Sequence, residues 1–297
     1  MMNFLRDYHP LFDFFLLNVG FAFSQQVVLR AGVFSIATAG FAGLGAYCSA
    51  ILVKHHGFGE IPALLCSTSL GIAVGFLLSV PLARLRGVYQ AIATLAFVQI
   101  VVALVRHFEG LTGGALGIDR IPRLVDTWQL LGIVAVITYI MYSIGKSSIG
   151  RAFDAIRQDE TVGIALGISI RRYHILAFVF SGAIGGLFGG MQALSVYAIE
   201  PSLYGFNFLV AVLTYIVLGG RGSVWGPIIG TAIIVALPEI ARPLAEHRQM
   251  VLGALIVVMI NYLPNGVYDS LVLLVRQRRA VRRDKQAQEK LNAIACA

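Results

Sequence analysis

The chain has 297 residues, of which 58% are hydrophobic and only 13% are charged, and its mean hydropathy is +0.80. Soluble domains carry about 25% charged residues, so this composition excludes an ordinary soluble domain. Long apolar runs separated by short polar breaks predict transmembrane helices of about 20 residues each. Because the runs do not alternate as barrel strands do, we expect an all-α, polytopic transmembrane helical bundle.

The apolar runs predict nine helical segments. In chain order, their approximate bounds are 11–29, 34–53, 61–83, 88–105, 130–147, 173–193, 206–219, 225–241 and 250–264. The seventh and the ninth are short, so we expect about eight or nine membrane spans. A Gly-rich loop at 106–129 follows the fourth segment, and a charged loop at 148–172 follows the fifth.

Lysine and arginine predict how the chain is oriented in the membrane. If the 148–172 loop faces the cytoplasm, nine basic residues in connecting segments and seven in the tail lie on that side, against seven on the other. Cytoplasmic segments carry the excess of Lys and Arg. We therefore expect the N-terminus outside, a transmembrane domain over 1–275 and a basic cytoplasmic tail over 276–297. We expect this tail to bind anionic lipid headgroups rather than nucleic acid.

The charged loop has the pattern of two short helices. Gly150 to Gln158 is amphipathic, and Asp159-Glu160-Thr161 offers an N-cap for a second helix from Val162 to Leu166, which Gly167 ends. A short apolar helix beside charged residues favours insertion into a groove of another protein. The alternative is an interfacial helix that rests on lipid.

Chemistry that would let the chain act alone is missing from the sequence. Gly145-Lys146-Ser147-Ser148 resembles the end of a phosphate-binding loop, but the pattern needs a glycine where Ile140 stands. His55-His56 has no third metal ligand nearby, and Asp13 and Glu239 lie near the ends of their spans, which disfavours ion coupling. We expect no catalytic residue, no metal and no cofactor in this chain. It is then a channel, or the membrane half of a machine driven by a separate chain.

Two further sets of residues stand out within the spans. Gly182, Gly186 and Gly190 recur at four-residue spacing, which favours close helix packing, within the chain more than between subunits. Polar residues inside otherwise apolar spans are candidates for a translocation pathway, although hydrogen bonding between helices explains each of them equally well. They are Gln25, Gln26, Thr38, Thr94, Gln99, Asn207 and Thr214.

Several motifs, in the same order along the chain, resemble one family. The segment Gly150 to Ile168 is similar to the signature loop of the M-type membrane subunit of branched-chain amino acid ABC transporter permeases. The other similar stretches are Ala39 to Tyr47, Arg84 to Phe97, Leu111 to Ile118, Pro201 to Phe206 and Val217 to Pro227. Single stretches are weak signals, but the ordered set covers nearly the whole chain.

The resemblance implies a subunit of a bacterial inner-membrane importer. Its partners would be a sister permease of different sequence, which forms a heterodimer with this chain, two cytoplasmic ATPase subunits that hold ATP and Mg²⁺, and a periplasmic or extracellular substrate-binding protein. The loop would couple this chain to the ATPase through Gly150, Arg151, Ala152, Ala155, Ile156, Arg157, Asp159, Glu160, Val162, Ala165, Leu166, Gly167 and Ile168. Two alternatives stay open: the same architecture with urea, amides or aromatic acids as cargo, and a stand-alone channel or ion-coupled carrier.

Overall fold

A computed structural model describes the backbone of residues 2–240 and, beyond them, residues 253, 266–268 and 270. The predicted ninth segment, apart from Gly253, and the predicted tail lie outside the described residues. In chain order the helices are α1 (Met2–Arg30), α2 (Thr38–His56), α3 (Glu60–Leu82), α4 (Val88–His107), α5 (Glu109–Thr112), α6 (Thr127–Lys146), α7 (Ser148–Gln158), α8 (Glu160–Ala165), α9 (Ile170–Ser195), α10 (Phe206–Gly219) and α11 (Trp225–Ile240). Apart from one antiparallel bridge between Ile118 and Ile199, the described part of the chain contains no β-structure.

The predicted helices in the described part of the chain are confirmed, with shifts at some ends. The second begins at Thr38 rather than at 34, because Gly32 adopts a left-handed conformation (φ +80°) and the chain turns before the helix starts. The fifth predicted helix is α6, which begins three residues early at Thr127. There the Gln129 side chain accepts a hydrogen bond from the Asp126 backbone N–H at 2.7 Å, which favours an earlier start.

Five of the described helices are long and apolar enough to cross a membrane. They are Pro10–Arg30 of α1, together with α3, α4, α6 and α9, and two shorter apolar helices follow at Phe206–Gly219 and Trp225–Leu237. α3, α4 and α6 expose many large apolar side chains, as expected of surfaces that face lipid or another membrane chain. The described residues therefore form a helical bundle whose outer surface is apolar.

Helix α9 lies at the centre of the bundle and packs against α1, α2 and α3. Its glycines allow this: a methyl group built at Gly186 would lie 2.6 Å from the carbonyl oxygen of Ser67 on α3, and one at Gly182 would overlap the carbonyl oxygen of Gly71. At Gly190 the nearest atoms are the hydroxyl oxygens of Ser49 and Ser67. The predicted glycine stripe thus lies at a contact between helices of the same chain, where backbones meet without intervening side chains.

The two ends of the bundle differ in the segments that they carry. At one end, which we call the loop end, α7 and α8 pack beneath the last turn of α1 and the α3–α4 turn. At the other, the bridge end, Lys54 donates to a carboxylate oxygen of Asp119 at 3.0 Å, and the Ile118–Ile199 bridge ties the 106–129 loop to the segment after α9. Gly266 lies against Gly220 at the loop end.

Candidate functional site

Helix α7 is anchored in the chain by its apolar face. Phe153 and Ile156 are buried, and the Phe153 ring contacts the Tyr173 ring edge-on, with ring centroids 6.0 Å apart. Three members of the predicted coupling set, Gly150, Ala152 and Ile156, lie on this buried side. These residues are therefore buried within the subunit and present no surface to another molecule.

Helix α8 has the opposite character. Asp159 is its N-cap, and its carboxylate accepts hydrogen bonds from the Thr161 N–H at 2.7 Å and from the Thr161 hydroxyl. These bonds lower the pKa of Asp159 below its usual range, so the cap is charged at neutral pH. Gly167, with φ +77°, ends this segment in a left-handed conformation.

The outer side of α8 is apolar and open. Val162, Ile164 and Leu166 are 52%, 58% and 69% exposed, and we call these three residues the α8 surface. On the inner side, Gly163 is buried against Ile156 of α7. Ile164 was not in the predicted coupling set, although the helix that contains it was.

The remaining predicted coupling residues surround the α8 surface at different depths. Arg151, Asp159, Ala165 and Gly167 are exposed, whereas Ala155, Arg157, Glu160 and Ile168 are partly buried. Glu160 pairs with Arg86 at 3.6 Å, so α8 is also tied to the α3–α4 turn. A cleft of about 360 Å³ opens beside this pair, lined by Leu85, Ile164, Ile168, Arg171 and His174 among others.

One ion pair joins the loop to the first span, and sequence reasoning missed it. The Arg30 Nε and Nη2 atoms donate to the two carboxylate oxygens of Asp154 at 3.2 and 3.0 Å. The Arg30 side chain is only 10% exposed, whereas that of Asp154 is 36% exposed. No local signal links positions 124 residues apart.

Three of the predicted pathway residues meet in a buried polar cluster, formed by Ser24, Gln25, Ser35, Thr38, Thr94 and Ser181. The Thr38 hydroxyl donates to Gln25 Oε1 at 2.7 Å, and the Gln25 amide donates to the Ser35 carbonyl. Thr94 accepts from the Ile36 backbone N–H at 3.1 Å. Gln25 and Thr38 therefore satisfy each other, and Thr94 is satisfied by the adjoining backbone, all inside the subunit.

The serines of this cluster were missed, because small hydroxyl residues in apolar spans look like packing residues. The Ser24 hydroxyl donates to the Ser181 carbonyl at 2.8 Å and joins α1 to α9. Gln26 points elsewhere: its amide donates to the Ser223 carbonyl, at 2.7 Å, in the α10–α11 turn.

The other three predicted pathway residues are not part of the cluster. Gln99 on α4 and Asn207 on α10 are exposed, and Thr214 is half-buried and donates to the Val210 carbonyl of its own helix at 2.8 Å. Val98 of α4 and Leu209 of α10 belong to one small apolar cluster with Ala39 of α2. Within the described part of the chain, no three His, Cys, Asp or Glu side chains are grouped closely enough to hold a metal ion.

Comparison with known proteins shows the family to which the chain belongs. The family model described as "Branched-chain amino acid transport system / permease component" matches residues 14–260. The chain belongs to this family. Together with the five long apolar helices, membership shows that it is a multi-pass membrane protein.

Individual relatives agree with this placement. The chain is 30% identical over 275 residues to the high-affinity branched-chain amino acid transport system permease protein LivM of Escherichia coli K12, covering 81% of this chain and 65% of that protein. A probable LivM of Methanocaldococcus jannaschii is 24% identical over 232 residues, covering 70% of this chain and 67% of the relative. LivH of Salmonella typhimurium is 29% identical over 139 residues, covering 46% and 44%.

The match spans somewhat less than two thirds of the length of the E. coli relative. No solved structure matches the chain significantly.

Proposed function

We propose that the chain is the transmembrane permease subunit of an ATP-binding-cassette importer for branched-chain or related amino acids. Family membership and the names of the relatives support the cargo class. The α8 surface supports the proposal that this chain binds an ATPase subunit, because three exposed apolar side chains on a capped, anchored helix suit a protein partner. ATP and Mg²⁺ belong to that partner, a cytoplasmic ATPase subunit.

Docking would stabilise the complex by covering the α8 surface. Full burial of an exposed Val, Ile or Leu side chain contributes about 1.5–3 kcal/mol. α7 supports this role, since its buried face fixes the position of α8 relative to α9 through Phe153 and Tyr173. A force applied to α8 would therefore reach the bundle rather than bend a loose loop.

The loop end would face the cytoplasm, and this sets the orientation of the chain in the membrane. That end carries the excess of Lys and Arg among the connecting segments, as the positive-inside rule requires. Gly266 lies at the loop end, which supports a cytoplasmic position for the basic tail over 276–297 after a transmembrane domain over 1–275. We propose eight or nine spans, with the N-terminus outside.

A sister permease would complete the pathway beside α4 and α10. Polar side chains are costly on a surface that faces lipid, so exposed Gln99 on α4 and Asn207 on α10 favour surfaces covered by another chain or by water. The similarity to both LivM and LivH, each named a permease protein of the same kind of system, supports a heterodimer. A substrate-binding protein would deliver the amino acid at the bridge end.

The docking role is tested by co-expressing the chain with its candidate sister and ATPase subunits and purifying through a tag on this chain. Leu166→Asp places a charge in the α8 surface, and burying an unpaired charge is strongly unfavourable. We expect this variant to lose the ATPase subunit while it keeps the sister permease. The matched control is Leu116→Asp, because Leu116 is 93% exposed at the bridge end, away from α8.

Two results would count against the proposal. If Leu166→Asp retains the ATPase as well as Leu116→Asp does, α8 is not the docking element. If the ATPase is retained and a lipid-soluble quencher reaches a fluorophore at position 166, α8 rests on the membrane surface instead.

A further inference from the structure

A buried arginine at the end of a membrane span requires an explanation. Arg30 is the last residue of α1, and both oxygens of Asp154 on α7 accept from its guanidinium in a bidentate pair. Bidentate pairs of this kind are directional, because the planar guanidinium fits the two carboxylate oxygens. Ionisable residues in spans are costly and tend to be functional, with the partner indicating the function.

The partner of Arg30 belongs to the helix that supports α8. Ile156 of α7 lies against Gly163 of α8, and the backbone of Arg157 lies against Gly32, two residues after Arg30. α7 is therefore in contact with α8 on one side and with the end of α1 on the other. The connection is short, since Asp154 and Ile156 are two residues apart on one helix.

Above Arg30, α1 contacts the α10–α11 turn and the buried polar cluster. Gln26, one turn earlier, donates to the Ser223 carbonyl in the α10–α11 turn at 2.7 Å. Gln25 accepts from Thr38 at 2.7 Å in the buried polar cluster, which also includes Thr94 of α4. The end of α1 is thus linked directly to the α10–α11 turn through Gln26, and to α4 only through the segment before α2, where the Ile36 N–H donates to Thr94.

We propose that Arg30 is a positioning residue for coupling, which transmits displacement of α8 to α1 through its ion pair with Asp154. This inference rests on the proposed function and adds the residue that converts motor movement into movement of the spans. A bidentate ion pair fixes the relative orientation of the two groups that it joins, whereas an apolar contact is not directional. Loss of the pair should therefore leave ATP hydrolysis largely intact and lower the amount of substrate transported per ATP.

Gly145 offers a way to disturb the pair without deleting a charge. A methyl group built at Gly145 would lie 2.9 Å from Nη1 of Arg30, closer than an ordinary contact. Gly145→Ala therefore displaces the guanidinium while Arg30 and Asp154 stay charged. It complements Arg30→Gln, which removes the charge, and Arg30→Lys, which keeps the charge but lacks the planar fork.

The experiment uses proteoliposomes that contain this chain with its sister and ATPase subunits, supplied with the binding protein, radiolabelled leucine and ATP. Uptake and phosphate release are measured on the same vesicles. We expect Arg30→Gln to keep hydrolysis within about twofold and to lower leucine taken up per ATP by about tenfold, the size of effect that coupling residues have. Gly145→Ala, which crowds only the Nη1 end of Arg30, should lower the same ratio by less. Arg30→Lys should be intermediate.

The matched control is Lys54→Gln, which removes a basic residue that pairs with an aspartate at the same distance, 3.0 Å, at the bridge end. Its uptake per ATP should equal that of the wild type. The proposal is overturned if Arg30→Gln lowers uptake and hydrolysis in parallel, as a merely structural residue would, or lowers neither. If the Arg30→Gln variant does not assemble with its partner subunits, the same ratio of leucine uptake to ATP hydrolysis is measured for Asp154→Asn and Gly145→Ala. Absence of ATP-driven uptake in the wild type would instead refute the proposed function itself.

Discussion

Replacement of Gly186 by alanine tests how tightly the centre of the bundle is packed. A methyl group at this position would lie 2.6 Å from the Ser67 carbonyl oxygen and 3.2 Å from the Gly71 Cα atom, both on α3. On its other side α9 meets α2, because a methyl group built at Gly45 would overlap the Gly186 carbonyl. α9 is therefore held between two backbones and has no free direction in which to move.

The expected cost follows from this geometry. To restore contact at about 3.5 Å, α9 and α3 must separate by about 0.9 Å, and gaps of that size forfeit a quarter to a half of the dispersion energy of the contacts that they open. Overpacking of this kind costs about 1–3 kcal/mol, and with backbone on both sides we expect about 3 kcal/mol at Gly186. That is roughly a 150-fold change in the unfolding equilibrium.

Two other glycines provide an internal scale. At Gly190 a methyl group meets the hydroxyl oxygens of Ser49 and Ser67 at 2.5 and 2.6 Å, and these can rotate away, so Gly190→Ala should cost about 1 kcal/mol. At Gly132 on α6 nothing lies within 4 Å, so Gly132→Ala should be neutral or stabilising by up to about 1 kcal/mol.

The free energies of unfolding of the three variants are compared in detergent micelles by titration with SDS. The predicted order of cost is Gly186, then Gly190, then Gly132. If Gly186→Ala is as stable as Gly132→Ala within about 0.5 kcal/mol, α9 does not pack against α3 as described, and the reasoning is refuted.

Three further predictions address the polar cluster and the loops. Gln25→Leu should lower the free energy of unfolding by about 1–3 kcal/mol, because it leaves buried partners unpaired; an unchanged value in the same SDS titration would show that the cluster is not formed. Because hydrogen bonds from Thr161 lower the pKa of Asp159, the cap should be fully effective at neutral pH and weaken only as the pH falls below the usual range of a carboxylate. Hydrogen exchange of α8, corrected for intrinsic rates, should therefore be equal at pH 7 and pH 5.5. Gly117→Ala should speed amide exchange of Ile199, because a methyl group at Gly117 overlaps the Ile199 carbonyl; unchanged protection would exclude the described bridge.

The helices of this chain were predictable because their cause is local. An apolar run of about 20 residues bounded by polar or glycine-rich breaks needs no tertiary information to be identified as a helix in a membrane protein. The same holds for α7 and α8, where Asp159 as an N-cap and Gly167 as a stop are signals read within a few residues. The glycine stripe of α9 was predictable for the same reason.

The pairing of polar residues was not predictable, because the spans are apolar on all sides. Without an amphipathic pattern, nothing in the sequence shows that Gln25 faces Thr38 while Gln99 and Asn207 face outward. Pairs distant in sequence, such as Arg30 with Asp154, depend on which helices become neighbours. That information resides in the packing of α9 against α1, α2 and α3, which no single segment encodes.

Leucine uptake into proteoliposomes tests the central claim most directly. Vesicles that contain this chain with its sister and ATPase subunits are loaded with ATP, binding protein is added outside, and uptake is compared with that of vesicles that contain this chain alone. The proposed function predicts uptake that requires ATP and all partners, with no uptake by the chain alone. Uptake by the chain alone, without ATP, would show that it is a channel or carrier and would contradict the account.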